Sequence, residues 1–200
     1  ISLVIYIEKN ANVLVDWIGF DLGPSNQSML NAMGVSLTSD NKDYAIPHPN
    51  RPGDWLYLKP DDTHNKKNII SALRRGDVMI SSSLAAEENL NSKKATFNDV
   101  IKVFNSQQKR ELKIAKKLKP EIIKPSPFEV MRENTADQVH SVDVSSAIQF
   151  LDKKSCENNK QNATTFFLKT IRKFHDITTD NQGWKIDEKE KYDRDIKFLN

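Results

Sequence analysis

The sequence predicts an α+β protein, with an N-terminal mixed sheet and short helices followed by a mainly helical C-terminal half. Short runs rich in β-branched and aromatic residues are concentrated in roughly the first 90 residues. Apolar residues at helical spacing dominate the remainder. Prolines at positions 120, 125 and 127 interrupt that helical pattern, because proline cannot continue a helix.

The N-terminal part is predicted to consist of strands joined by turns. Residues 2–7 and 13–22 predict a β-hairpin that ends at Gly23 and Pro24. A short helix is expected after Ser25, and a longer one is expected from Thr63 to Arg75, because both residues are good N-caps and Gly76 follows as a stop. Further short strands are expected at residues 55–58 and 78–80.

Residues 96–119 give the strongest pattern in the chain and predict one amphipathic helix with a basic outer face. Apolar residues fall near one stripe at helical spacing, namely Phe97, Val100, Ile101, Phe104, Leu112, Ala115 and Leu118. Lysines follow a second stripe, at Lys102, Lys109, Lys113 and Lys116, with Arg110 and Lys117 flanking it. Pro120 is expected to end this helix.

Charge is unevenly distributed along the chain. The whole sequence has a net charge of +3, whereas residues 93–124 alone carry +7 and the rest carries −4. This asymmetry indicates an anionic partner, RNA or DNA, for the basic helix. The alternative is a solvated helix face that uses lysine for solubility.

Beyond the basic segment, the sequence predicts a proline-rich connector at residues 120–127 and a helical region at 128–200. Helices are expected to begin at Asp143 and Thr164, and residues 187–199 show a further apolar stripe. The predicted organisation is therefore an α+β region at 1–119, the connector and the helical region. One domain overall is the alternative.

Acidic residues and a histidine cluster between positions 129 and 143. Glu129, Glu133, Asp137 and Asp143 surround His140, and carboxylate and imidazole groups are common metal ligands. Capping, surface and turn roles also explain these residues. Whether they bind a metal stays open, and the sequence nominates neither a catalytic residue nor a metal ligand.

Cofactor motifs are absent from the sequence. It contains no phosphate-loop lysine motif, no dinucleotide fingerprint and no zinc-spaced cysteine set, and only six glycines occur. The chain is expected to need no cofactor and is interpreted as leaning away from an enzyme. Its single cysteine, Cys156, favours an intracellular protein over a disulfide-built secreted one, and no apolar run is long enough to span a bilayer.

Three functions follow from these patterns. The leading hypothesis is a non-enzymatic module that contacts nucleic-acid phosphates through the basic helix. The first alternative is a protein-interaction or effector domain of a viral or bacterial protein, in which the apolar stripe of the helix contacts a partner. The second is a metal-dependent nuclease or hydrolase that uses the acidic residues at 129–143. The oligomeric state is not indicated.

Overall fold

The computed structural model describes residues 1–35, 44–130, 132–152 and 159–179, together with the helical positions Lys191, Arg194 and Lys197. Two compact units divide the chain, Ile1–Asn65 and Lys66–Asn200. The first unit contains a small mixed sheet, and the described part of the second is mainly helical. The predicted α+β fold class is therefore confirmed.

The first unit is a three-stranded sheet with helices. Its strands are β1 (Trp17–Phe20), β2 (Ala45–Pro47) and β3 (Trp55–Pro60), and its helices are α1 (Ser2–Ala11) and α2 (Pro24–Ala32). The central strand β3 pairs parallel with β1 and antiparallel with β2. Its core consists of Val4, Phe20, Leu30, Val35, Ile46, Leu56 and Leu58.

The predicted strand at residues 2–7, and with it the predicted hairpin over 2–22, is wrong. Residues 2–11 form α1, in which Val4 is buried while Leu3 and Tyr6 remain exposed. Asn12 adopts the left-handed conformation, with φ of 52°, and ends the helix. The partner of β1 is β3, which lies far away in sequence. A short apolar run fits a buried strand and a helix equally well by periodicity, so its tertiary contacts decide.

The second unit packs most of its described helices around an apolar core, and the helix that carries Ala85 contributes to a smaller apolar cluster beside Leu90 and Ala163. Its elements are α3 (Asp62–Arg75, which begins in the first unit), β4 (Val78–Met79), α4 (Ser82–Glu87), β5 (Lys94–Ala95), α5 (Phe97–Gln107), α6 (Pro120–Ile123), α7 (Pro127–Val130), α8 (Glu133–Val139), α9 (Val142–Leu151) and α10 (Ala163–Thr178). Strands β4 and β5 pair antiparallel. Residues from α5, α8, α9 and α10 fill the core.

The long basic helix predicted for residues 96–119 is also wrong, because α5 ends at Gln107. The predicted N-cap is present, since the Thr96 hydroxyl accepts a hydrogen bond from the Asn98 amide. At the other end, the fully buried Gln107 side chain bonds to the backbone of Ala115 and Leu118, which turns the chain back on itself. Ala115 and Leu118 still reach the core, but from an irregular segment.

The predicted connector at 120–127 lies within the second unit and contains α6, which begins at Pro120. Ile122 of this helix is buried in the core. The division of the chain at this point stays a prediction. Most of the stretch 187–199 and all of Cys156 lie outside the described residues.

The predicted helix starts at Asp143 and Thr164 are each displaced by one or two residues. Ser141 is the N-cap of α9, and its hydroxyl accepts a hydrogen bond from the Val144 amide. Asn162 is the N-cap of α10. Serine, asparagine, aspartate and threonine are all good N-caps. Where several of them lie within a few residues, the sequence alone does not show which one caps the helix.

Candidate functional site

An open pocket of about 420 Å³ lies in the second unit, where β5 and α5 meet the C-terminal end of α9 and the start of α10. A parallel bridge between Leu90 and Gln161 joins the two sides, and the Asn91 amide donates to the Gln161 carbonyl at 2.9 Å. The residues that line the pocket are Asp77, Asn91, Ser92, Lys94, Thr96, Asp99, Lys102, Val103, Ile148, Leu151, Asp152 and Asn162. Its volume is typical of small-molecule sites.

One wall of the pocket is organised around the carboxylate of Asp152. The side-chain amides of Asn91 and Asn162 both donate to Asp152 Oδ2, at 2.7 and 2.6 Å. Each asparagine also has its carbonyl oxygen engaged: Asn91 accepts from the Ala163 amide, and Asn162 accepts from the amides of Thr164 and Thr165. The N-terminus of α10 therefore fixes both amides, and through them the carboxylate.

A second part of the lining is organised around Asp99 in the first turn of α5. Asp99 Oδ2 accepts a hydrogen bond of 2.8 Å from the hydroxyl of the fully buried Thr164, and Oδ1 pairs with the Lys102 ammonium at 2.8 Å. The same hydroxyl oxygen accepts from the Thr96 amide at 2.9 Å. Asp99 is consequently held in one position, while Lys102 remains 64% exposed.

The lining combines cations, carboxylates and an apolar surface. The Lys94 ammonium lies 3.7 Å from Asp77, and the side chains of both remain largely exposed. Val103, Ile148 and Leu151 supply the apolar part. Such a lining, partly apolar with a few charged and polar groups, suits a small molecule.

The structure separates the predicted nucleic-acid-binding residues into two groups. Lys102 lies on α5, pairs with Asp99 and lines the pocket. The other five lie on the irregular segment after α5 and are exposed; they are Lys109, Arg110, Lys113, Lys116 and Lys117. None of these five lines the pocket, so the continuous lysine row expected on one helix does not exist.

Three of the acidic and histidine candidates lie together around a buried lysine. The Lys66 side chain is 2% exposed, and its ammonium contacts Asp137 at 2.5 Å, Glu133 at 3.1 Å and His175 Nε2 at 2.9 Å. His140 Nε2 lies 3.3 Å from Asp137. The cation of this cluster is therefore the lysine ammonium, and the described residues contain no group of three or more potential ligands arranged to hold a metal ion.

His140 is the fully buried histidine of that cluster. Its side chain is 1% exposed, and neither ring nitrogen has a hydrogen-bond partner among the described residues. Burial lowers the pKa of His140 below its ordinary value, and the nearby Asp137 carboxylate only partly opposes this effect. The remaining two acidic candidates have other positions: Glu129 bonds to Ser126 in the first turn of α7, and Asp143 is exposed.

In the first unit, Asp21 follows β1, and Asp61 follows the parallel strand β3. The Gly23 amide donates to Asp21 Oδ1 at 2.8 Å and, with the Asn26 side chain, lowers the pKa of Asp21. His64 Nδ1 lies 4.0 Å from the second Asp21 oxygen. The sequence pattern predicted a turn at Gly23, but not the hydrogen bonds to the Asp21 carboxylate that hold it.

The pocket residues Asn91, Lys94, Asp152 and Asn162 are not identified by the sequence. They come from two segments that lie about 60 residues apart, and no local motif joins them. The only usable signal is the cap position of Asn162 before an apolar helical pattern.

Comparison with known proteins yields a family and a fold. A sequence model of the family described as "TNP-like, GTP-binding insertion domain" matches residues 80–190. The structure is similar to a chain of the Drosophila P element transposase strand transfer complex, with a TM-score of 0.69 and 18% sequence identity over 90% of this chain. This chain spans 38% of the length of that transposase chain. No curated protein sequence matches. No helix in the described part of the chain has the length and apolar character to cross a membrane.

These findings correct the predicted function. The basic helix on which the non-enzymatic nucleic-acid module depended ends at Gln107. The family match assigns most of the second unit to a TNP-like, GTP-binding insertion domain, and it supports neither a free-standing binding module nor a viral or bacterial effector. Because the match covers more than half of the sequence, the chain belongs to the family of TNP-like, GTP-binding insertion domains.

Proposed function

We propose that this chain is a guanine-nucleotide-binding insertion domain of an intracellular, DNA-acting protein related to transposases. One observation carries the proposal. Apart from Asp77, every residue that lines the pocket falls within residues 80–190, the range of the family match whose description names GTP binding. The transposase fold of the similar structure supports DNA as the partner of the longer protein.

The pocket has groups that suit each part of a guanine nucleotide. Lys94 and Lys102 present exposed ammonium groups that meet phosphate oxygens. Leu151, the partly exposed apolar residue of the lining, offers an apolar surface for the base. Guanine presents N–H donors that pair with a carboxylate, whereas adenine presents an acceptor at the corresponding ring nitrogen. Asp152 is therefore the candidate for selecting guanine, because both oxygens of Asp99 are already engaged within the protein.

The balance of charge in the pocket has a consequence for binding. Its three carboxylates, Asp77, Asp99 and Asp152, outnumber its two ammonium groups. A nucleoside triphosphate brings several further negative charges, which the two lysines cannot neutralise. We therefore expect GTP to bind more tightly with Mg²⁺ on its phosphates than without it.

Titration of the purified chain with a fluorescent GTP analogue, with and without Mg²⁺, tests this proposal. We expect saturable binding that unlabelled GTP displaces better than unlabelled ATP. The double variant K94A/K102A should weaken binding at least about a hundredfold, since charge-assisted hydrogen bonds to phosphate contribute roughly 1.5–3 kcal/mol each. Thermal unfolding of each variant confirms that it is folded.

A matched control distinguishes the pocket from general surface charge. Lys160 and Lys169 are also exposed lysines of the second unit, and they do not line the pocket. The variant K160A/K169A should bind GTP like the unmodified chain. Absence of GTP binding, equal displacement by GTP and ATP, or equal loss in both double variants would each refute the proposal.

A further inference from the structure

We propose that the segment between α5 and α6, residues 108–119, is a preformed cationic surface that binds the backbone of duplex DNA. We call this segment the basic loop. The choice of DNA as partner rests on the proposed relationship to transposases; the surface itself is separate from the nucleotide pocket, because the loop and the pocket share no residue.

Charge is the first argument for an anionic partner. The basic loop carries six cationic side chains and one acidic one, Glu111. All six cations are exposed; they are Lys109, Arg110, Lys113, Lys116, Lys117 and Lys119. None of them forms a salt bridge or side-chain hydrogen bond within the part of the chain that the structure describes. In contrast, Lys59, Lys66, Lys94 and Lys102 each have an acidic partner.

Rigidity is the second argument. Gln107 is fully buried, and its amide nitrogen donates to the carbonyls of Ala115 and Leu118 at 3.2 and 3.3 Å. Its side-chain oxygen accepts from the Ala115 amide at 3.0 Å. Ala115 and Leu118 are buried in the core. The backbone that carries the cations is thus fixed at two internal points, which reduces the entropy lost when a ligand binds.

The composition of the loop favours duplex over single-stranded nucleic acid. Proteins that hold single strands stack unpaired bases on aromatic side chains. The basic loop contains no aromatic residue, and Leu112, which is 83% exposed, is its most exposed apolar side chain. Lysine and arginine without stacking partners contact phosphates irrespective of sequence. We therefore expect the basic loop to contact the phosphates of a DNA duplex.

Binding of a fluorescent 30-base-pair DNA duplex at 50 and 200 mM salt tests the inference. Six phosphate contacts should reduce affinity about 1,800-fold between the two salt concentrations, from a slope of about −0.9 per contact. In the variant K109E/K113E, four contacts remain and the reduction should fall to about 150-fold, with weaker binding at the lower salt. The variant K160E/K169E changes the net charge equally and should behave like the unmodified chain.

A second pair makes the test independent of one variant. Lys116 and Lys117 lie on the far side of Ala115 in the loop, and K116E/K117E should weaken duplex binding as K109E/K113E does. Circular dichroism checks that each variant is folded. The inference is overturned if the loop variants bind like the unmodified chain, if the control pair loses as much affinity, or if single-stranded DNA or RNA binds more tightly than the duplex. Titration of the same samples with GTP shows separately whether the nucleotide pocket binds its ligand, so that a wrong DNA-binding inference can be told from a wrong proposed function.

Discussion

Replacement of the buried glutamine at the end of α5 should destabilise the second unit and release the basic loop. Gln107→Leu preserves the approximate volume of the side chain but removes three hydrogen bonds to the backbone of Ala115 and Leu118. At about 1 kcal/mol for each bond, the net loss is about 3 kcal/mol. Because the freed amide and carbonyls lie next to the core, the loss should not fall much below this value.

Urea and thermal unfolding measure this effect, and hydrogen exchange locates it. We expect the melting temperature of the second unit to fall by about 10 °C, at roughly 3 °C for each kcal/mol. The Ala115 amide, which donates to Gln107, should lose its protection. Gln108→Leu is the matched control, because this neighbour is exposed and its side chain donates only to the Phe104 carbonyl among the described residues. If Q107L and Q108L were equally stable, with the Ala115 amide still protected, the explanation for the end of α5 would fail.

Three further predictions concern the buried groups of the second unit. Lys66→Met should lower the free energy of unfolding in urea by about 2 kcal/mol. This is less than the roughly 3–5 kcal/mol lost when a fully buried ion pair is broken, because the carboxylate partners of Lys66 are partly exposed and stay hydrated. The control variant Lys160→Met changes an exposed residue and should leave the free energy of unfolding unchanged. Burial lowers the pKa of His140 below its ordinary 6.5, so the unfolded state binds the proton first as the pH falls. The free energy of unfolding should therefore decrease below about pH 6.5. In His140→Gln this decrease should be smaller, and an unchanged dependence of stability on pH would show that His140 is not its cause. Asn162→Ala should cost about 1–2 kcal/mol as a lost N-cap and should also weaken GTP binding, because Asp152 loses a partner that positions it.

The sequence predicted correctly those helices and strands whose type is determined by their own residues. The helix from residue 62 to 75 has a polar first turn, an internal apolar stripe and a glycine directly after it, and it forms where expected. The strand at residues 55–60 alternates exposed and buried residues as a half-buried strand should. These elements need no distant partner to be recognised.

Elements whose identity depends on distant contacts were predicted incorrectly. Residues 2–7 have the composition of a strand, but they form α1, and β1 pairs instead with the distant strand β3. The nucleotide pocket is a further case, because its walls are joined by the bridge between Leu90 and Gln161. No sequence window short enough to show a motif contains both sides.

The spacing of apolar residues over 96–119 correctly indicated that most of them pack in the core, but the single long helix inferred from it is wrong. Helical spacing placed Ala115 and Leu118 on the apolar stripe of α5, and both are indeed buried in the same core as Val100 and Val103 of that helix. Burial alone, however, does not specify the backbone path, because a turn that brings the chain back buries the same residues. Here Gln107 decides between the two, since its side chain supplies the hydrogen bonds that a continued helix would have supplied. Gln107 is a polar residue on an otherwise apolar helix face. This feature of the sequence is the one from which the end of α5 could have been predicted correctly.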